Sequence, residues 1–112
     1  MNIESISTDR LCRLYVCHSC LYYEHDMSVI SDHEFDKICK ILLARWKEIE
    51  YNKQMKEYWI DKIGINKNSL KAGSGYELNF KSLPLRMQMV VETLKSGIDI
   101  TGQPIKIADW LK

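Results

Sequence analysis

From Leu11 onward, apolar and aromatic residues return at three- and four-residue steps: Leu11, Leu14, Tyr15, His18, Leu21, Tyr22 and His25. That spacing places them on one face of a helix. Ser7 or Thr8 can cap its first free N–H groups, and Asp9 suits the positive end of its dipole. After a connection over residues 27–30, Ser31-Asp32-His33-Glu34 has the S-x-x-E form of a capping box. A second stripe follows through Phe35, Ile38, Cys39, Leu42, Trp46 and Ile49. A link this short makes the two helices antiparallel neighbours. The helical pattern continues through Met55, Tyr58 and Trp59 to Ile63, with an interruption at Tyr51-Asn52 and a stop at Gly64.

Residues 66–75, NKNSLKAGSG, carry the small, polar, glycine-rich composition of a plain loop. Gly73-Ser74-Gly75 has too few glycines for a phosphate loop and no Lys-Ser/Thr behind it. Ser82 and Pro84 open another helix with a buried stripe of Leu85, Met89, Val90 and Leu94, ended by Gly97. Two short alternating runs flank Thr101-Gly102-Gln103-Pro104 and predict a small β-hairpin over residues 98–107, which is marginal unless packed on the helices. Trp110 is expected to dock against the body. The fold class is therefore mainly α: an antiparallel helical hairpin, a further C-terminal helix and room for a small β-hairpin. The 112 residues form one domain, with a helical part over 1–63 and a loop, helix and extension over 64–112.

Composition narrows the setting. A chain that is 46% hydrophobic can fill a core, and no apolar run is long enough to span a bilayer. The polar, acidic start lacks the features of a secretory signal, so a cytoplasmic protein is expected. Residues 1–40 hold four Lys/Arg against seven Asp/Glu, and the later basic surplus is spread singly over Lys53, Lys56, Lys62, Lys67, Lys71 and Lys81. Such scatter reads as a solvated surface, so direct nucleic-acid binding is not expected. Cys17-His18-Ser19-Cys20 matches CxxC, but it falls inside a helix and only Cys39 lies downstream. Cys12, Cys17, Cys20 and Cys39 are therefore read as core side chains, with no metal. His18 is read as a hydrogen-bonded, half-buried histidine, and Met87 and Met89 as core filler.

Candidate chemistry gathers at the turn between the first two helices. Tyr22 and Tyr23 precede it, and Asp32, Phe35 and Asp36 follow it. Asp32 and Asp36 share a helix face at i and i+4, three residues and one residue from Phe35. Aromatic faces suit a cationic ring, and carboxylates suit the hydroxyls of a diol. On the residues alone, acids that favour a helix start and aromatics that fill a core are the preferred reading.

These residues resemble the N-terminal Ia subdomain of NAD-dependent, bacterial-type DNA ligases. The family pattern is approximately Y-[YH]-x-x-D-x-P-x-[IV]-S-D-x-E-[YF]-D-x-L-x-x-x-L. The chain supplies Tyr22, Tyr23, Asp26, Ile30, Ser31, Asp32, Glu34, Phe35, Asp36 and Leu42 at matching places, with Ser28 for the proline and Ile38 for a leucine. The likeness covers about residues 10–50. It implies a clamp for the nicotinamide mononucleotide (NMN) half of NAD, with Tyr22 and Phe35 stacking on the ring and Asp32 and Asp36 holding the ribose. It places Tyr23 near the phosphate. Phe35 lacks the hydroxyl that a tyrosine would bring.

The chain has no K-x-D-G motif, whose lysine accepts AMP in ligases, so no ligase activity of its own and no catalytic residue are expected. Three readings follow. The first is a stand-alone NMN- or NAD-binding module, working alone or beside a separately encoded ligase adenylation domain. The second is a small protein-interaction module, of the kind phages encode against bacterial proteins, that reuses the hairpin without nucleotide binding. The third, ranked last, is a hydrolase of nicotinamide nucleotides using Asp32, Asp36 and His33.

Overall fold

Ser7 starts the first helix, α1 (Thr8–His25), by accepting the N–H of Arg10. Asp26 ends it in the left-handed region, at φ 52°, and returns its N–H to the carbonyl of Leu21. The computed structural model describes residues 3–96, and no strand occurs among them. Helix α1 is the centre of the protein. From Leu11 to Leu21 every residue except Arg13 is buried, including Cys12, Val16, Cys17 and Ser19, which lie off the expected stripe. The burial is wider than one face because α2, α3 and α6 all pack against this helix. The stripe gives out at its far end, where Tyr22 is exposed and His25 only partly covered.

The second helix, α2 (Asp32–Ala44), opens on the expected capping box. The Glu34 N–H donates to Ser31 Oγ at 3.1 Å, and the Ser31 N–H donates to Glu34 Oε1 at 3.2 Å. Its helical path breaks at Arg45 (φ −99°, ψ 16°), and α3 (Trp46–Glu50) resumes the same buried stripe with Trp46 and Ile49. The Arg45 guanidinium donates to the carbonyls of Ile6 and Glu4, which fastens the end of α2 beside the chain entering α1. Thr8 donates to Glu48 Oε1 at 3.0 Å in the same region.

The break at Tyr51-Asn52 is present. Asn52 caps α4 (Lys53–Met55), which widens into a π-helical stretch over Lys56–Ile63 and stops at Gly64, where φ is 95°. The indole N–H of buried Trp59 donates to Asp9 Oδ1 at 2.8 Å, anchoring this stretch to the start of α1.

Two expectations are corrected. Residues 66–75 are not a plain loop: they contain α5 (Lys67–Ala72), which packs against α2. Asn66 accepts the Ser69 N–H at 2.9 Å, Ser69 and Leu70 are buried, and Gly73 ends the helix at φ 67°. An Asn cap and a Gly stop hold a short helix once tertiary burial of Leu70 offsets its poor intrinsic stability. In α6 (Leu85–Ser96) the buried residues are Met87, Val91 and Leu94, whereas Leu85 is 71% and Met89 54% exposed. Apolar residues occupy more than one side of this helix, so period alone fits two registers, and packing against α1 selects one.

The four cysteines are buried and unbonded. Burial raises all four thiols, those of Cys17 and Cys39 to about 12. The scattered lysines Lys53, Lys56, Lys62, Lys67, Lys71 and Lys81 are each exposed. No helix among the described residues is long and apolar enough to cross a membrane. The expected hairpin over 98–107, the stop at Gly97 and the docking of Trp110 lie outside the described residues.

Candidate functional site

The last turn of α1, the connection over residues 26–31, the first turns of α2 and the end of α5 enclose one pocket of about 360 Å³. Tyr22, Tyr23, Asp32, Phe35 and Asp36 all line it. The remaining wall is His18, Ser28, Ile30, Ala72 and Gly73. The volume falls near the lower end of the range of small-molecule sites, roughly 300–1,000 Å³.

Local structure fixes most of this wall. The capping box sets where α2 begins, and that choice puts Asp32, Phe35 and Asp36 on the pocket side. Ser28 donates to the Ile30 carbonyl at 2.7 Å, which shapes the connection. Phe35 is half-buried and stacked on Tyr15, with ring centres 5.7 Å apart and planes 28° apart. Tyr15 is fully buried, and its hydroxyl donates to the carbonyl of Ser74. Phe35 therefore has a rigid backing. Next to that contact, Gly75 lies flat on α1: a Cβ there would stand 2.1 Å from Ser19 Oγ and 2.7 Å from Ser19 Cβ.

The opposite lip is looser. Tyr22 is 55% and Tyr23 40% exposed, and the two rings meet edge to face at 4.9 Å. Tyr23 also approaches exposed Tyr76, centre to centre 6.3 Å. Asp32 is exposed. Asp36 is half-exposed and paired with Lys40 at 2.8 Å, a bond that raises the lysine's pKa. The other Asp36 oxygen lies 3.2 Å from where a Cβ on Gly73 would sit. Gly73 is therefore needed twice, for its left-handed backbone and for the space beside that carboxylate.

His18 differs from its expected role. It is 95% buried, and its Nε2 has no hydrogen-bond partner among the described residues. Burial lowers its pKa to about 4, against a weaker opposing pull from the Glu34 carboxylate. The ring is thus neutral at pH 7. An unmade hydrogen bond of this kind costs roughly 1–3 kcal/mol.

Two carboxylates and no Lys or Arg line the pocket. The cysteines, whose thiols burial raises, lie outside it. Among the described residues no group of three His, Cys, Asp or Glu could hold a metal. A second hollow of about 620 Å³, lined in part by Arg13, Tyr58, Arg86 and Met87, shares no residue with the first.

No protein-family model, curated protein or solved structure matches the chain.

Sequence reading nominated five wall residues and missed Ser28, Ile30, Ala72 and Gly73. For Ala72 and Gly73 a signal existed in the spacing from Asn66 to Gly73, which has the form of a helix cap and stop. For the unpartnered state of His18 there was none, because a missing partner is a property of packing.

Proposed function

We propose that this chain is a stand-alone nucleotide-binding module, similar to the Ia subdomain of NAD-dependent DNA ligases, that holds NMN or the NMN half of NAD without a covalent step. The observation that carries this reading is the shared pocket of Tyr22, Tyr23, Asp32, Phe35 and Asp36. In this reading the antiparallel arrangement of α1 and α2 is the ligase-like hairpin, with the pocket at its turn. Phe35, backed by Tyr15, offers a fixed aromatic face. Tyr22, which is exposed, closes over the other side of a flat cationic ring. Asp32 and Asp36 accept from the ribose hydroxyls, with Lys40 paired to Asp36 at 2.8 Å. Tyr23 stands toward the phosphate.

Without a K-x-D-G lysine the module does not adenylate itself or seal DNA. It supplies the cofactor grip to a separately encoded adenylation domain, or it sequesters the nucleotide in the cytoplasm. Calorimetry with NMN and NAD tests the reading. Saturable heat is expected, with Asp36→Ala weakening binding at least tenfold, the scale of a lost charge-assisted hydrogen bond. No heat from the native protein at millimolar ligand rejects it.

A second reading has its own support. Exposed Tyr22, Tyr23 and Tyr76 form a row of touching aromatics. Exposed tyrosines are the side chains that protein interfaces favour. A protein-interaction module would use that row, lose its partner on Tyr76→Ala, and be indifferent to Asp32→Ala and Asp36→Ala. Affinity capture from bacterial lysate with these variants separates the two readings.

A further inference from the structure

We propose that the second hollow, enclosed by the start of α1, α4, the π-helical stretch and α6, is a binding site for a small organic anion: a carboxylate or phosphate head on an apolar body. It shares no residue with the pocket at the α1–α2 turn, so it stands apart from the nucleotide reading above.

The wall of this hollow has donors to spare. Asp9 is the only carboxylate among the described lining residues, and both its oxygens are engaged. Oδ1 accepts the indole N–H of Trp59 at 2.8 Å, and Oδ2 lies 3.9 Å from the Arg13 guanidinium. That ion pair is long, and a guanidinium carries five N–H donors, so Arg13 keeps most of its own for a ligand. Arg86 is exposed and has no ion pair among the described residues. The Asn52 side-chain carbonyl accepts the Met55 N–H at 3.0 Å, which leaves its N–H₂ free to donate. The Tyr58 hydroxyl donates to Met87 Sδ at 3.2 Å, and sulfur is a weak acceptor that an oxyanion outcompetes. Two guanidiniums in one wall suit the paired oxygens of a carboxylate or phosphate.

Apolar side chains make up much of the remainder. Met55 and Val90 are partly buried and Met87 is buried, and unbranched thioethers adapt to the shape of an apolar guest. The volume of about 620 Å³ is more than a bare ion fills, and it lies within the range of small-molecule sites, roughly 300–1,000 Å³. Tyr58 and Trp59, the two aromatics of the wall, meet edge to face at 4.6 Å. Both come from the π-helical stretch Lys56–Ile63. Such helices are rare and recur at functional sites.

Calorimetry on the native protein with phenylacetate, phenyl phosphate, acetate, inorganic phosphate and phenethylamine tests the proposal. Saturable binding of phenylacetate or phenyl phosphate is expected at millimolar ligand, and the tighter of the two names the head group. Acetate and inorganic phosphate should bind at least about tenfold more weakly, because they bury no apolar surface. Arg86→Ala, an exposed change that leaves the core untouched, should cost about tenfold in affinity, the scale of one charge-assisted hydrogen bond. Arg86→Lys should recover part of that loss. In the native protein the ¹⁵N resonance of the Trp59 indole, tied to Asp9 in the wall, should shift on binding, while that of Trp46 stays in place. No saturable binding of either aromatic anion overturns the site. So does equal binding of phenethylamine, or an affinity that Arg86→Ala leaves unchanged. Inorganic phosphate or acetate binding as tightly as its aromatic counterpart reduces the hollow to a surface that attracts an adventitious ion only, and overturns the organic ligand.

Discussion

One buried side chain, His18, should add its own share to the acid destabilisation of this protein, and replacing it should remove that share. His18 is 5% exposed, and burial lowers its folded pKa to about 4 from an ordinary 6.5. As pH falls below the unfolded value, the unfolded chain takes up a proton that the folded chain refuses. Stability therefore declines between about pH 6.5 and pH 4, and levels off once the folded ring also protonates. A gap of that size, at 1.36 kcal/mol per pH unit, amounts to about 3 kcal/mol. The same loss lowers the melting temperature by roughly 10–15 °C for a domain of this size. Urea unfolding at pH 7.5, 6, 5 and 4 of the native protein and of His18→Leu measures it, because carboxylates and the other histidines titrate in both and cancel in the difference. The variant should match or exceed the native stability at pH 7.5, since leucine removes an unpartnered nitrogen while keeping volume. The difference between the two should then widen toward pH 4 in favour of leucine. Parallel pH profiles would refute the assignment of His18 as a buried neutral ring.

Other outcomes follow from the same geometry. Gly75→Ala should cost about 1–3 kcal/mol in urea unfolding, because its Cβ would land 2.1 Å from Ser19 Oγ on the central helix. Gly73→Ala should cost about 1–2 kcal/mol for its left-handed backbone at φ 67°, and calorimetry should show weaker NMN binding because the new Cβ crowds Asp36. Ser31→Ala should cost about 1 kcal/mol by removing one half of the capping box. The same variant should show faster amide exchange in the first turn of α2. The four cysteines, all buried with raised pKa values, should resist a thiol reagent in the folded protein and react together once urea unfolds it.

Local chemistry wrote the helix boundaries around the pocket. Ser7, the Ser31–Glu34 box, Asn52 and Gly64 act within a few residues of themselves, so their consequences are readable from spacing alone. The five nominated residues came together because a capped helix start and a short connection leave them little choice of direction. Where the sequence misled, the deciding contact was distant. Residues 66–75 look like a loop until Leu70 finds burial and α5 finds α2. Met87, Val91 and Leu94 win over Leu85 and Met89 only because α1 lies on that side.

The pattern along the chain determined that this protein is helical, where its first two helices begin, and which aromatics and acids flank their turn. Tertiary packing decided how deep the pocket is, that α5 supplies part of its wall, and that His18 stands in it with a nitrogen unmet. Caps and periodicity are short-range properties of the backbone and are carried by neighbouring residues. Burial and unmade hydrogen bonds depend on groups dozens of residues away, and exist only once the helices have closed on one another.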